Sequence, residues 1–277
     1  MAFIFGKKKR VTTQLQDFDI PSFSSAVINL LGKLRNPEIS VNDLATELEL
    51  DPGLHIRVLK TVNSSAFGLS RKVSNIKHAV NLLGRGRLES LVLSVTVKNN
   101  LATTQQTAWL DMPQFWKTAS RQAAVARILA TALHPNTQSD VFTIGLLQNM
   151  AIPVLANREG ERYHTLYTRW QNEEIDLAEQ EMQLFGIDHA TLGAQMAEHW
   201  GFPESLIMGI GEHHQLENQA IPLSVKIAAL MKQNPNDDST AELVQRASQL
   251  FDLDSEKLLP LIEQALAQSS ELSEALS

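Results

Sequence analysis

The chain has 277 residues, a formal net charge of −7 and no cysteine. The lack of cysteine excludes disulfides and thiolate-ligated zinc, and it is typical of a reducing compartment, so we expect a cytoplasmic protein. The overall acidity argues against nucleic-acid binding, because neutralising a phosphate backbone requires clustered positive charge.

The first 14 residues are predicted to form a basic, flexible tail. Apolar residues precede the basic run from Lys7 to Arg10, which is the reverse of the order in a secretory signal peptide. Contact of residues 2–10 with an anionic membrane surface is the alternative to a solvated tail. No apolar run reaches the roughly 20 residues that a membrane-spanning helix needs, which predicts no transmembrane segment.

Helix-capping residues punctuate the first half of the chain. Asp51 supplies an N-cap and Pro52 follows it at the first helical position. Another helix is predicted to begin at Ser74 and to end at Gly84. Residues 88–101 contain many β-branched side chains, but the length of this run and its lack of turn residues favour a buried helix.

The second half of the chain shows the same pattern. A long helix is predicted over 113–133, and Asp140 is expected to cap the next helix, which Pro153 kinks or ends. Asp188 is expected to cap a helix that runs to His199. No Asn-Gly hairpin signal occurs, so the sequence predicts an all-α chain.

Polar breaks at 103–112 and 234–238 divide the predicted helices into three parts. We expect an N-terminal lobe over about 15–103 and a second lobe over about 113–233. A C-terminal helical appendage, 234–277, is expected to pack on the second lobe or to extend from it. Residues 1–100 hold 14 Lys and Arg against 8 Asp and Glu, whereas residues 101–277 hold 10 against 23, an asymmetry that suggests two lobes with different surfaces.

Five segments of the chain occur in an order that matches one family: Asp51 to Gly68, Ile76 to Gly84, Leu184 to Gly193, Trp200 to Pro203, and Glu212 to His214. They resemble the signature of the HDOD family, whose name means HD-related output domain. The resemblance runs from about Ile20 to Leu230. It implies a multi-helix HDOD fold, in which an N-terminal helical bundle joins a degenerate version of the HD-type phosphohydrolase domain.

The HD hydrolases hold a divalent ion with a His, a His-Asp pair and a later Asp, and the ion activates water. By the resemblance, the first position falls on Thr118, the pair on Gln148 and Asn149, and the later Asp on Ala229. A hydroxyl, two neutral amides and a methyl group are poor ligands for that ion. The resemblance therefore implies a non-catalytic module of bacterial signal transduction that binds a partner protein or a small ligand and needs no cofactor.

Histidines in the second half provide an alternative. Asp188, His189, His199, His213 and His214 come from neighbouring predicted helices and could converge on a metal ion. That arrangement would suit a metal-dependent phosphohydrolase or phosphodiesterase. A structural hydrogen-bond network explains the same residues, because the HDOD pattern includes most of them and Asp188 is a good N-cap.

Asn63 and Ser64 are followed closely by the basic residues Arg71 and Lys72. Basic side chains beside a polar helix end suit a phosphate or an acidic partner. We expect this candidate binding site in the groove between the lobes, because pockets favour domain interfaces. The alternative is that Asn63 and Ser64 cap or cross-link helices while the charges are solvated.

Overall fold

The computed structural model describes six stretches of the chain: 15–67, 69, 71–103, 107–134, 140–232 and 240–276. These stretches contain helices and no strand, which confirms the predicted all-α class. None of the described helices is long and apolar enough to span a bilayer. The predicted basic tail, 1–14, and the predicted break at 234–238 lie outside the described residues.

The α-helices follow in chain order: α1 (Ser25–Arg35), α2 (Val41–Glu49), α3 (Pro52–Val62), α4 (Ile76–Leu83), α5 (Arg85–Thr103), α6 (Met112–Leu133), α7 (Val141–Leu147), α8 (Ile152–Glu159), α9 (Glu161–Asn172), α10 (Leu177–Phe185), α11 (His189–His199), α12 (Glu204–Gly211), α13 (Leu223–Ala229), α14 (Thr240–Phe251) and α15 (Ser255–Leu276). Two 3-10 turns, Leu15–Asp17 and Ser65–Phe67, lie among them.

Side-chain caps fix many of these helix starts. A cap oxygen accepts a hydrogen bond from a backbone N–H three residues later, which satisfies one of the free donors at a helix start. The capping residues include Ser24, Ser40, Asp51, Asn75, Asp111, Asp176 and Asp188. The helix expected to begin at Ser74 therefore begins at Ile76, with Asn75 as its cap.

Two local expectations in the second half were wrong. Helix α7 ends at Leu147, and Pro153 lies in the first turn of α8, where its missing N–H costs nothing. Pro153 therefore opens a helix and does not end one. Asp140 makes no side-chain bond to the start of α7, and its Oδ2 accepts a hydrogen bond from the Ser205 hydroxyl at 2.6 Å.

Helix α5 forms the core between the two lobes. Every residue from Leu88 to Val97 is buried, so this helix is covered on all its faces. It packs on α1, α3 and α4 on one side and on α7 on the other. The predicted buried helix over 88–101 is thus confirmed.

The long helix α6 organises the second lobe. It packs against α7, α13 and α15, and its alanines allow these neighbours to come close. Helices α11 and α12 form an adjacent pair that also contacts α7 through α12. The candidate site lies where these elements meet, at the C-terminal ends of α7 and α12.

The C-terminal helix α15 contacts both lobes. It packs along α6 and also touches α3 and the turn Ser65–Phe67. The Ser65 backbone N–H donates to Glu271 Oε2 at 2.7 Å, and Lys98 Nζ donates to the Leu276 carbonyl at 2.6 Å. Of the two arrangements expected for the C-terminal appendage, the described part, 240–276, shows packing on the second lobe, with added contacts to the first.

Candidate functional site

Of the four positions that the resemblance matches to HD metal ligands, three are buried in the second lobe and Ala229 is partly buried. Thr118 and Gln148 are buried, and so is Asn149 at the turn after α7. Asn149 Nδ2 donates to Gln122 Oε1 at 3.2 Å, and Gln122 Nε2 donates to the Met231 carbonyl at 3.2 Å. These neutral side chains therefore join α6 to the turns after α7 and α13.

This set of side chains does not fit the divalent ion of the HD hydrolases. The Asn149 amide presents its N–H to Gln122, and Ala229 contributes only a methyl group. The Gln148 amide and the Thr118 hydroxyl have no hydrogen-bond partner among the described residues. Uncharged groups of this kind are weak ligands, since hard or borderline divalent ions favour carboxylates and imidazoles.

Three histidines meet beside these positions. His189 begins α11, while His213 and His214 follow α12, and one ring nitrogen of each lies within 4.8 Å of the other two. The Nε2 atoms of His189 and His214 are 2.9 Å apart. His189 and His213 are buried, and His214 is partly buried.

A buried carboxylate holds the first of these rings. Glu181 on α10 is fully buried, and its Oε2 accepts from the His189 backbone N–H at 2.7 Å and contacts His189 Nδ1 at 2.6 Å. The Tyr163 hydroxyl donates to Glu181 Oε1. Separately, His213 Nδ1 lies 2.7 Å from the Ile210 carbonyl. Each of these contacts fixes the orientation of an imidazole ring.

The pKa values in the cluster diverge. Burial, with a smaller contribution from His189, lowers the pKa of His213 to about 3, and burial lowers the pKa of His214 well below its usual range. Burial also opposes the charged form of His189, but the Glu181 carboxylate outweighs it and raises the His189 pKa. The buried Tyr163 hydroxyl has a pKa well above its usual value because of desolvation and the nearby Glu181.

A cavity of about 300 Å³ lies between the histidines and two of the four positions matched to HD metal ligands. His189 and His214 line one part of it, and Asn149 and Ala229 line another. Lys232, which follows α13, and Arg246 and Leu250 of helix α14 also contribute to the wall of this cavity. The structure thus brings together two groups that sequence reasoning treated separately.

Two of the residues proposed as alternative ligands lie elsewhere or have another role. Both Asp188 oxygens bind Thr191, at 2.7 Å from its N–H and 3.0 Å from its hydroxyl, so Asp188 caps α11. His199 is exposed at the opposite end of α11 and lines a separate cavity near Leu15.

The sequence analysis did not single out Glu181, because its sequence context resembles that of the exposed glutamates around it.

Asn63 and Ser64 make bonds within the first lobe. Asn63 Oδ1 accepts from the Val73 N–H at 2.7 Å, and its Nδ2 donates to the Leu59 and Val73 carbonyls at 2.9 and 2.8 Å. The Ser64 hydroxyl donates to the Thr61 carbonyl at 2.8 Å. These contacts match the cross-linking alternative without testing the binding one.

Arg71 and Lys72 are exposed in the segment that Asn63 holds. Lys72 lines a groove of about 760 Å³ that also includes Asn63 and Ser64. The opposite wall is the C-terminal part of α15, through Glu271 and Glu274. The groove thus lies between the first lobe and α15, and not between the two lobes as expected.

The comparisons with known proteins agree with this architecture. A curated relative from Treponema pallidum (strain Nichols), an uncharacterised protein, is 28% identical over 199 residues, which are 72% of this chain and 38% of the relative. The chain therefore spans well under half the length of that relative.

Solved structures show the same helical arrangement. A Shewanella amazonensis SB2B protein, provisionally named a phosphohydrolase, has a TM-score of 0.71 at 25% identity and covers 93% of this chain and 95% of its own. A Marinobacter aquaeolei VT8 protein, provisionally named a signal transduction protein, has a TM-score of 0.64 at 20% identity. The match covers 95% of this chain and 60% of the Marinobacter chain. The sequence model of the HDOD domain matches residues 20–216. The chain therefore belongs to the HDOD family.

Proposed function

We propose that this protein is a non-catalytic regulatory module of signal transduction, which binds a partner protein or a small ligand. One observation supports this most directly. The positions for HD metal ligands hold Thr118, Gln148, Asn149 and Ala229, and the amide of Asn149 is used in a hydrogen bond between elements of the core. Regaining the hydrolase centre would require several side chains to change together.

The groove beside Lys72 is the proposed binding surface. Asn63 anchors the segment that carries Arg71 and Lys72 by three hydrogen bonds to Leu59 and Val73, so the two charges project from a held backbone. Lys60 adds a third basic group to the same wall. This basic wall, opposite the Glu271 and Glu274 wall, suits an acidic segment of a partner, because exposed basic groups attract and orient negative charge.

The comparison with solved structures supports the signalling role in a general way. One similar structure is named a signal transduction protein, and the fold is shared across nearly the whole of the present chain. Function within a fold family depends on the site and not on the fold, so the groove must be tested directly.

Charge reversal tests the groove. Arg71→Glu with Lys72→Glu should reduce capture of the partner at least about tenfold, because each change replaces attraction by repulsion. The measurement is affinity capture from a lysate of the source organism, quantified by mass spectrometry and followed by calorimetry with the purified partner. Lys77→Glu with Lys257→Glu, two exposed lysines outside the groove, is the matched control. Equal capture by the two double variants would exclude this groove.

A metal-dependent phosphohydrolase is the second candidate, favoured by the meeting of three imidazoles beside a cavity. A hydrolase also needs a group that activates water, and the carboxylates at or near this cavity already bind protein donors. Asp188 binds Thr191, and Glu181 binds Tyr163 and His189. Asp176 caps α10 and Glu174 pairs with Lys232. Assays with p-nitrophenyl phosphate, its bis ester and cyclic dinucleotides, with Mn²⁺ or Zn²⁺ added, separate the candidates. Turnover that disappears in His214→Ala and persists in His199→Ala would favour the enzyme.

A further inference from the structure

We propose that His189, His213 and His214 form a binding site for one divalent transition-metal ion of the Zn²⁺ or Co²⁺ type, with a coordination position open to the adjacent cavity. The site does not use the four HD positions, and it goes beyond the proposed partner binding. Its basis is the meeting of three ring nitrogens within 4.8 Å of one another. Three imidazoles with one open position form a known type of zinc site.

His213 presents a lone pair to the cluster. Its Nδ1 lies 2.7 Å from the Ile210 carbonyl, and a carbonyl oxygen can only accept a hydrogen bond. Nδ1 therefore carries the proton, and Nε2 has a free lone pair in the neutral ring. His213 Nε2 is buried and has no hydrogen-bond partner among the described residues, which is a costly arrangement unless a ligand satisfies it.

His189 is oriented in the way typical of a metal ligand. Its Nδ1 is 2.6 Å from Glu181 Oε2, so the Nδ1 proton points to the carboxylate and Nε2 faces the cluster. Glu181 is held in turn by the His189 backbone N–H and by Tyr163. A carboxylate behind an imidazole commonly fixes the tautomer and the ring orientation at metal sites.

His214 completes the set through a proton that the ion can replace. Its Nε2 is 2.9 Å from His189 Nε2, so one proton lies between the two nitrogens. In the neutral state His189 Nε2 accepts, and His214 Nε2 donates. When an ion binds both nitrogens, the His214 proton moves to Nδ1, and no net charge is lost from the ring.

The surroundings favour a borderline transition metal. Nitrogen donors suit Zn²⁺, Co²⁺, Ni²⁺ and Cu²⁺, whereas Mg²⁺ and Ca²⁺ prefer oxygen donors. A neutral imidazole binds metal through its unprotonated nitrogen, and His213 Nε2 is such a nitrogen, with no hydrogen-bond partner among the described residues. His189 and His214 line the cavity, so water or a small anion can reach an ion held between them.

Titration of the intact chain tests the proposal. Tag-free protein is freed of metal with a chelator, which is then removed, and CoCl₂ is added while visible absorption is recorded. We expect about one Co²⁺ per chain, the intense d–d bands of a four- or five-coordinate ion, and displacement by Zn²⁺ in calorimetry. MgCl₂ should give no heat of binding. A wild-type chain that binds neither Co²⁺ nor Zn²⁺ would overturn the proposal.

Variants locate the ion. His213→Ala should weaken Co²⁺ binding more than about tenfold, and Glu181→Gln should weaken it by about 10- to 100-fold through the ring that it orients. His199→Ala, at the exposed end of the helix that His189 begins, should bind Co²⁺ as the wild type does. Where circular dichroism shows that His213→Ala does not fold, His214→Ala takes its place. Unchanged Co²⁺ affinity in folded variants of the histidine cluster would overturn the metal site. It would leave the proposed groove untouched, because partner capture by the Arg71 and Lys72 double variant is measured without added metal.

Discussion

At the scale of single residues, the buried carboxylate of Glu181 organises the candidate site. It accepts hydrogen bonds from Tyr163 and from both the backbone and the ring of His189. A buried charge is stable only when such donors surround it, because desolvation costs far more than one hydrogen bond returns. The loss of any one of these donors should therefore lower the free energy of unfolding of the lobe.

Tyr163→Phe tests this arrangement. Removing the hydroxyl deletes a hydrogen bond to a charged acceptor, which should lower the free energy of unfolding by about 1.5–3 kcal/mol. Tyr167→Phe is the control, since Tyr167 is also buried and its hydroxyl bonds the neutral Gln171. Urea unfolding followed by circular dichroism gives both values. An equal or larger loss in Tyr167→Phe would show that Glu181 does not depend on Tyr163.

At the scale of elements, the closeness of α6 and α7 decides where the former HD positions lie. Gly145 sits at their crossing, and a Cβ added there would be 2.9 Å from the Gln122 carbonyl oxygen and 3.0 Å from the Ala123 Cα. These are backbone atoms, which cannot rotate away as a side chain can. The glycine therefore sets the distance between the two helices and holds Gln122 near Asn149.

Gly145→Ala should force the helices apart. We expect a loss of about 1–3 kcal/mol in unfolding free energy, typical of overpacking, although alanine is the better helix former. Gly32→Ala on the exposed face of α1 is the matched control, because its added methyl meets nothing within 4 Å and should stabilise by up to about 1 kcal/mol. Chemical denaturation of both variants gives the comparison. A stabilised Gly145→Ala protein would refute the close crossing.

At the scale of the whole molecule, α15 ties the two lobes together. Its buried face packs on α6, its Glu271 binds the first-lobe turn at Ser65, and its last carbonyl accepts from Lys98 of α5. The Lys98 ammonium is partly buried at this junction. Burial, with a smaller contribution from Arg57, lowers the pKa of Lys98 from its ordinary 10.5 to about 8.

This lowered pKa predicts a pH dependence of stability. Between about pH 8 and 10.5 the unfolded chain holds a proton on Lys98 that the folded chain has released, so the stability contributed by Lys98 rises with pH. The slope should be at most about 1.4 kcal/mol per pH unit, and less because the side chain is partly exposed to solvent.

Urea unfolding of wild type and Lys98→Met at about pH 7 and 9.5 measures the effect. Subtracting the unfolding free energies of the two proteins cancels the titration of the groups they share. The wild type should gain stability relative to Lys98→Met as pH rises. Lys77→Met controls for the general effect of removing a surface charge. A difference that stays constant across this range would contradict the junction described for Lys98.

The sequence by itself determined the helical class, most helix starts and the family. These features depend on local chemistry, because a cap such as Asp51 or Asp188 needs only the N–H groups of the next turn. The match of Gln148 and Asn149 to HD ligand positions likewise rests on the resemblance of the residues alone. Pro153 was misplaced because proline both ends one helix and starts another, and only the preceding turn distinguishes the two roles.

Only the tertiary structure decided which side chains meet. His189 and His213 lie 24 positions apart, and their approach depends on how α11 packs on α12. Glu181 and His199 show the same limit, since one is a partner of the cluster and the other is remote, although both lie close in sequence to Asp188. Contacts between distant residues arise from packing over the whole core, and local sequence patterns do not contain that information.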